Sequence, residues 1–214
     1  MLLVPEHFNA FIAKMGQWVQ WRPSVTCPCR SESSGAADIN CPVCDGRGYA
    51  WLDPITTSVA LTGQRIQQAW AKFGLWESGD VVVSIPSDSA CYGMGEFDRV
   101  LFANSSEPFS ASFVRGNERR ILLDMASIDE AYIIEDGALM PIIVPSLTDD
   151  GFAWDDGDGP AVGQQYSIKG RRRPEYFLYQ DFPQDRAHHH GADLPRKVVL
   201  RRFDLFGREG LNRG

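Results

Sequence analysis

The amino-acid sequence predicts a mainly β protein: a small barrel or sandwich, preceded by a short helix and interrupted by a cysteine-rich insertion. Three observations carry that reading. Short runs of Val, Ile, Tyr, Phe, Trp and Thr recur along the chain, separated by Gly, Asp, Asn and Pro, the pattern of strands joined by tight turns. Helical spacing of apolar residues is confined to two short stretches. Four of the five cysteines lie between positions 27 and 44. At 214 residues the chain can bury a core without a metal or a disulfide. The insertion is therefore expected to be a local clip, not the foundation of the fold. The resulting division is 1–26 for the helix and first strand, 27–48 for the cysteine insertion, and 49–214 for a barrel body with long loops.

Pro5 to Met15 sets Phe8, Phe11, Ile12 and Met15 at helical spacing, with Pro5 in the first turn and Gly16 as the stop. Gln17 to Arg22 reads as a strand running into the insertion. Tyr49 to Leu52 leads out and is expected to pair with that incoming strand, making a decorated hairpin. Ile55 to Leu61 is the next strand. Gln64 to Phe73 stays open: Ile66, Ala69, Trp70 and Phe73 fit a helix, yet many small barrels place a strand here. Val81 to Ile85 is a strand after the Gly79-Asp80 turn. Asp98 to Ala103 and Phe109 to Arg115 follow, joined by a polar turn at Asn104. Arg120 to Asp124, Ala131 to Glu135 and Leu139 to Val144 come next, the last two linked by the hairpin signal Asp136-Gly137. Thr148 to Gly159, rich in Asp and Gly around Phe152 and Trp154, is expected to be an exposed loop. Gln165 to Ile168, Glu175 to Gln180 and Lys197 to Phe203 complete the strands.

The insertion reads C-P-C-R, a polar loop, then C-P-V-C-D-G-R-G. Tetrahedral Zn²⁺ takes four soft ligands, and paired cysteines on two turns supply them. Cys27, Cys29, Cys41 and Cys44 are the candidate ligands of a structural zinc. Pro28 and Pro42 stiffen the turns, and Gly46 and Gly48 let backbone amides approach a thiolate. Cys41 and Cys44 have the usual knuckle spacing; Cys27 and Cys29 are one residue tighter. All four ligands would be used, leaving no open position for catalysis. Disulfide pairing in an extracellular particle and unliganded thiols remain the alternatives. Cys91 is expected to be a small buried apolar side chain. His188, His189 and His190 cannot all face one metal, because neighbouring side chains diverge; a polar loop is expected there. The run from Asp155 to Gly159 lacks the spacing and terminal Glu of an EF-hand.

Net charge is −7, which opposes a dedicated nucleic-acid binder. The charge is uneven: 129–158 is acidic, and the chain from Arg171 onward is basic. Arg171, Arg172, Arg173, Arg201 and Arg202 are candidate contacts to a neighbouring subunit or to DNA. Strand alternation places Val198 and Leu200 inside and turns Arg201 to water or a neighbour. No G-x-S-x-G, P-loop or H-E-x-x-H occurs, so a non-enzymatic chain is expected. The N-terminal M-L-L-V-P-E-H-F has neither a basic n-region nor a long apolar run, so neither a secretory signal nor a membrane span is expected.

C-P-V-C-D-G-R-G is similar to one knuckle of the cysteine-rich repeat of DnaJ-type chaperones, without the other repeats or the J-domain. A broader resemblance joins the N-terminal helix, the C-P-C-R…C-P-V-C-D-G-R-G-Y insertion, the β-rich body and the C-terminal R-R-R-P-E-Y…D-F-P-Q-D-R…L-P-R-K-V-V-L-R-R-F-D. Together these resemble the head–tail connector proteins of tailed bacteriophages, in the head-closure or stopper group. The resemblance implies a small β-barrel assembling as a ring, a hexamer or dodecamer. It implies a portal or adaptor protein above, a tail terminator or tail tube protein below, and packaged DNA in the channel. It places the chain in the virion, assembled in the host cytoplasm. An adaptor, tail or baseplate component is the nearest alternative, and a zinc-ribbon module acting on nucleic acid is one of another class. A ring needs two complementary faces. The acidic loop 149–158 and the basic C-terminal strands are expected to supply them, with Trp76, Phe152 and Trp154 as exposed anchors.

Overall fold

The structure, a computed structural model, describes residues 4–62, 64–72, 76–118, 124–148, 151–155, 159–181, 188–189 and 191–206. Helix α1 (Pro5–Lys14) begins on a proline, whose missing N–H costs nothing in a first turn, and ends at Met15. Strand β1 (Gly16–Arg22) follows at once, then β2 (Ser24–Thr26). Beyond the insertion come β3 (Tyr49–Trp51) and β4 (Ile55–Leu61). The ambiguous stretch is helix α2 (Gln64–Ala71); Phe73 lies outside the described residues. Next are β5 (Val81–Ile85) and β6 (Arg99–Phe102). Then follow β7 (Glu107–Val114), β8 (Met125–Glu135) and β9 (Ala138–Ile142). Two short strands, β10 (Ser146–Thr148) and β11 (Gly151–Ala153), precede β12 (Gln165–Arg172) and β13 (Glu175–Asp181). The last are β14 (His188–His189), β15 (Ala192–Asp193) and β16 (Arg196–Arg202). The strand expected from Arg120 falls on residues outside the described set, except Asp124, which is not in a strand. Among the described residues no helix is long and apolar enough to cross a membrane.

The expected barrel is present and closed, in the order β1-β4-β5-β16-β13-β6. Every pairing in it is antiparallel, and closure leaves no open edge. Its interior takes the inward residue of each pleat: Val19, Val59, Val83, Ile85, Val100, Phe102, Leu178, Val198 and Leu200. Cys91 and Met94, from the segment between β5 and β6, join them, as expected for Cys91. The outward pair Val82 and Val199 is covered by Ile66 of α2, Trp76 and Tyr179. Trp76 is thus packed against the barrel and is not an exposed anchor.

By its contacts the chain forms two compact units, Met1–Asn104 with Glu175–Gly214, and Ser105–Pro174. The second unit is an insertion between β6 and β13, which are neighbours in the barrel. The sequence reading carried 49–214 as one body, with β6 and β7 as consecutive strands of it. Instead β7 joins a separate sheet, ordered β7-β12-β8-β9. The Asp136-Gly137 turn closes β8 onto β9 with φ of 48° and 78°, as a type I′ hairpin requires. Tyr166, Ile168 and Ala131 form this unit's core. The expected exposed loop is in part a hairpin, β10 against β11. Phe152 and Trp154 pack on Tyr166 at ring distances of 6.4 and 5.2 Å, so they are half-buried against this core and not exposed as expected. Residues 149–150 and 156–158 of that loop lie outside the described set.

Candidate metal centre

The four insertion cysteines converge. Their sulfurs all lie within 4.8 Å of one another, and all four are free thiols. Cys27 and Cys41 Sγ are 3.8 Å apart, and Cys29 and Cys44 Sγ 3.5 Å. A tetrahedral ion with metal–sulfur bonds of about 2.3 Å sets its ligands roughly 3.8 Å apart, so the donor set fits a zinc-sized, thiophilic cation. Cys27, Cys41 and Cys44 are buried and Cys29 half-buried.

Local backbone chemistry makes this geometry. Each cysteine pair sits on a turn: Arg30 N–H donates to the Cys27 carbonyl, and the N–H groups of Asp45 and Arg47 donate to those of Cys41 and Cys44. The second turn passes through positive φ at Asp45, Gly46 and Gly48. The halves are joined where Cys27 N–H donates to the Gly48 carbonyl at 2.9 Å. Arg30 Nε donates to that same carbonyl at 3.1 Å, and its guanidinium lies 4.5 Å from the Tyr49 ring centre. The φ of 76° at Gly48 favours glycine, and a Cβ there would stand 2.5 Å from Arg30 Nε, so that side chain would have to move off the Gly48 carbonyl.

The thiols differ in readiness to ligate. Burial pushes the Cys29 thiol up to about 12. Backbone N–H groups of Cys44 and Val43 pull the Cys41 thiol down to about 7. A cation entering the cluster displaces the remaining protons, so binding releases acid.

The insertion is rooted firmly. The strand expected to pair with Tyr49–Leu52 was β1; the separate strand β2 does so instead, because β1 is already hydrogen-bonded to β4 and β6. Asp98, buried at the barrel end, accepts from Trp21 Nε1 at 2.8 Å, Ser24 N–H at 2.7 Å and Gly95 N–H at 2.9 Å. Trp51 Nε1 donates to the Phe97 carbonyl, and Tyr49 lies 4.6 Å from the Phe97 ring. Phe97 adopts a φ of 69°, unusual for an aromatic residue. Sequence reasoning missed Arg30, Phe97 and Asp98. In the sequence Asp98 is only the polar first residue of an expected strand, with nothing to mark it as an acceptor.

The candidate arginines occupy two places. Arg171 and Arg172 end β12 in the second unit, and Arg173 follows it. Arg171 donates to the hydroxyl and carbonyl of Ser106, Arg172 to Glu107 and Arg173 to Asp124. Arg201 and Arg202 end β16 in the barrel unit. Arg201 does not face water or a neighbour: it is buried, bonded through two nitrogens to both oxygens of Asp80 at 3.0 Å, and stacked 3.6 Å from the Tyr179 ring centre. A bulge places Tyr179 there, since Leu178 pairs with Leu200 and Gln180 with Val199, leaving Tyr179 extra. Arg202 is half-buried beside Asp204 at 3.5 Å. His188 and His189 sit in the short strand β14 against β15; His190 lies outside the described residues. No protein-family model matches the chain, and no curated protein matches it.

Proposed function

We propose that this chain is a structural protein of the tailed-bacteriophage neck, a head–tail connector of stopper type, and that its four-cysteine centre holds a structural zinc. The observation that carries the reading is the joint one of barrel and insertion. An edgeless six-stranded barrel bears a thiol-clamped finger within the residues that carry the connector resemblance. Both elaborations leave and re-enter the barrel between neighbouring strands, the finger between β1 and β4 and the second unit between β6 and β13. A closed body bearing two insertions suits a subunit that meets more than one neighbouring protein. Portal or adaptor, tail terminator or tube, and packaged DNA are the proposed partners. Of the five arginines, Arg171 is the one proposed to meet a partner or DNA phosphate: it is exposed, and both its hydrogen-bond acceptors are neutral. Disruption of the gene in its phage tests the reading. Filled heads without tails, losing their DNA and restored by a plasmid copy, are expected; infectious particles at normal titre would overturn it.

A further inference from the structure

The four-stranded sheet of the second unit ends in two unlike edges, β7 and β9. Edge β9 is blunted. Ala138, paired with Glu135 across the tight turn, bonds to β8, so alternation turns Leu139 and Pro141 outward, and Pro141 has no N–H to offer. Edge β7 carries no such guard along its middle. Its 8 residues run in unbroken register with β12, whereas β12 bulges against β8. No charge lies between Glu107 and Arg115. Arg115 N–H donates to the Gln164 carbonyl, which sets the alternation. Phe113, Ala111, Phe109 and Glu107 bond to β12, while Ser110, Ser112 and Val114 turn their N–H groups to the outer side. Pro108 falls in the outward set, where its missing N–H costs no ladder bond. Among the described residues only β12 pairs with β7. On either side of residues 119–123 the chain is tied to β12 and its end: Glu118 accepts from the Tyr166 hydroxyl, and the Asp124 carbonyl from Arg173 N–H.

We infer that β7 pairs with β7 of a second copy, antiparallel about a twofold axis at Ala111, joining two sheets into one by strand addition. The backbone selects both the occupant and the register. With Ala111 opposite itself, Ser110 faces Ser112 of the other copy and Pro108 faces Val114. The Ser110 and Ser112 N–H and carbonyl groups are then fully exchanged, and Val114 N–H finds the Pro108 carbonyl. The one bond missing from that last pair is a bond neither side requires: Pro108 has no N–H, and the Val114 carbonyl already accepts from Asn117 N–H at 2.9 Å. Sliding the register by two residues breaks this match. In one direction a serine N–H meets the occupied Val114 carbonyl; in the other a serine carbonyl meets Pro108. Side chains agree with the same register. On the core face Phe109 stands opposite Phe113 of the other copy, both half-buried against the unit's core. They occupy the non-hydrogen-bonded positions, where side chains come closest. At the ends, Glu107 stands opposite Arg115 of the other copy. Such a contact is isologous and closes at two copies.

The purified full chain tests this without any neck partner. Wild type is expected to sediment as a dimer at roughly 0.1 mM. Amide exchange at Ser110, Ser112 and Val114 should slow as concentration rises, while Leu139 on the other edge stays unchanged. Ser112→Pro removes one outward donor from each copy and no bond to β12. It is expected to weaken dimerisation at least about tenfold, with thermal unfolding at low concentration near that of wild type. Because Ser110 faces Ser112 of the other copy, Ser110→Lys with Ser112→Lys is expected to be monomeric, and Ser110→Lys with Ser112→Glu to dimerise again. These charge variants carry the test should the proline variant fail to fold. A wild type monomeric at that concentration would overturn the proposal and leave the edge to a strand of another protein. So would normal dimerisation of folded Ser112→Pro or of the double-lysine variant, or a folded Lys–Glu variant that stays monomeric.

Discussion

The burial of Arg201 yields a sharp quantitative test, because its sequence neighbour Arg202 serves as an internal control. Arg201 and Asp80 are 7% and 0% exposed, joined by two parallel 3.0 Å bonds. Truncating Arg201 to Ala takes the counter-ion from the buried Asp80 carboxylate, which keeps its bond from Glu77 N–H at 3.1 Å, and removes the guanidinium from Tyr179. The cost is about 3–5 kcal/mol, dominated by the buried charge that loses its counter-ion. That corresponds to a fall in Tm of roughly 6–20 °C for a chain of this size. Arg202→Ala loses a longer, half-exposed pair with Asp204 and is expected to cost about 1 kcal/mol or less. The double variant Arg201→Met with Asp80→Leu removes both charges, and it is expected to recover most of the loss, since a buried pair rarely outperforms apolar packing of like volume. Urea unfolding of wild type, the two single variants and the double variant closes the cycle. If Arg201→Ala unfolds within 0.5 kcal/mol of wild type, to take a cut-off of about the scatter of surface substitutions, the arginine serves a partner and the burial argument fails.

Three further outcomes are expected. Purified protein should carry one zinc per chain with sulfur ligands at about 2.3 Å by X-ray absorption; Cys44→Ser should lose the metal, and chelation should open residues 31–40 to protease while the barrel keeps its unfolding transition. Asp98→Ala should cost roughly 3 kcal/mol in urea, because three donors lose one buried acceptor at once, and hydrogen exchange should rise at Ser24 and Gly95. Burial, then the bond to Glu118, raises the Tyr166 phenol above its usual 10.0. A raised folded value means its contribution is full below pH 10 and lost as pH climbs through the folded value, so Tyr166→Phe should flatten the alkaline limb of the stability profile.

Local signals were legible wherever one residue decides the outcome. Pro5 and Gly16 bound α1, Asp136-Gly137 fixes the β8–β9 turn, and period-2 alternation turns Val198 and Leu200 inward. The convergence of four thiols was legible because cysteine spacing is itself a statement about geometry. What escaped reading depends on distant partners. Arg201 looks outward by alternation, and it is outward, yet α2, Trp76 and Tyr179 cover the region where it lies. Phe152 and Trp154 sit among Asp and Gly, the composition of a loop, and are half-buried because Tyr166, Phe113 and Arg115 meet their rings from other strands and turns. The pairing of β3 with β2 rather than β1 follows from barrel closure, which uses both edges of β1 before the finger can claim one.

The energetics of finger and barrel separate for the same reason. The barrel's interior is a continuous set of aliphatic side chains and stands on hydrophobic burial. The finger's interior is sulfur: Cys27, Cys41 and Cys44, with Cys29 and Ala37 against them. Four thiols gathered within 4.8 Å bury little apolar area, and their anions repel. A divalent cation turns that repulsion into bonding, so binding free energy becomes the finger's folding free energy. The influence then reaches the barrel through Arg30 to Gly48 and Tyr49, Tyr49 and Trp51 to Phe97 and to the rings of Phe203 and Phe206, and Ser24 to Asp98. Because Asp98 also holds Trp21 within β1, the root is expected to stay ordered when the metal is removed, with the change confined to the tip. With the proposed cation bound, the finger's rigidity would rest on the metal while its placement rests on the barrel.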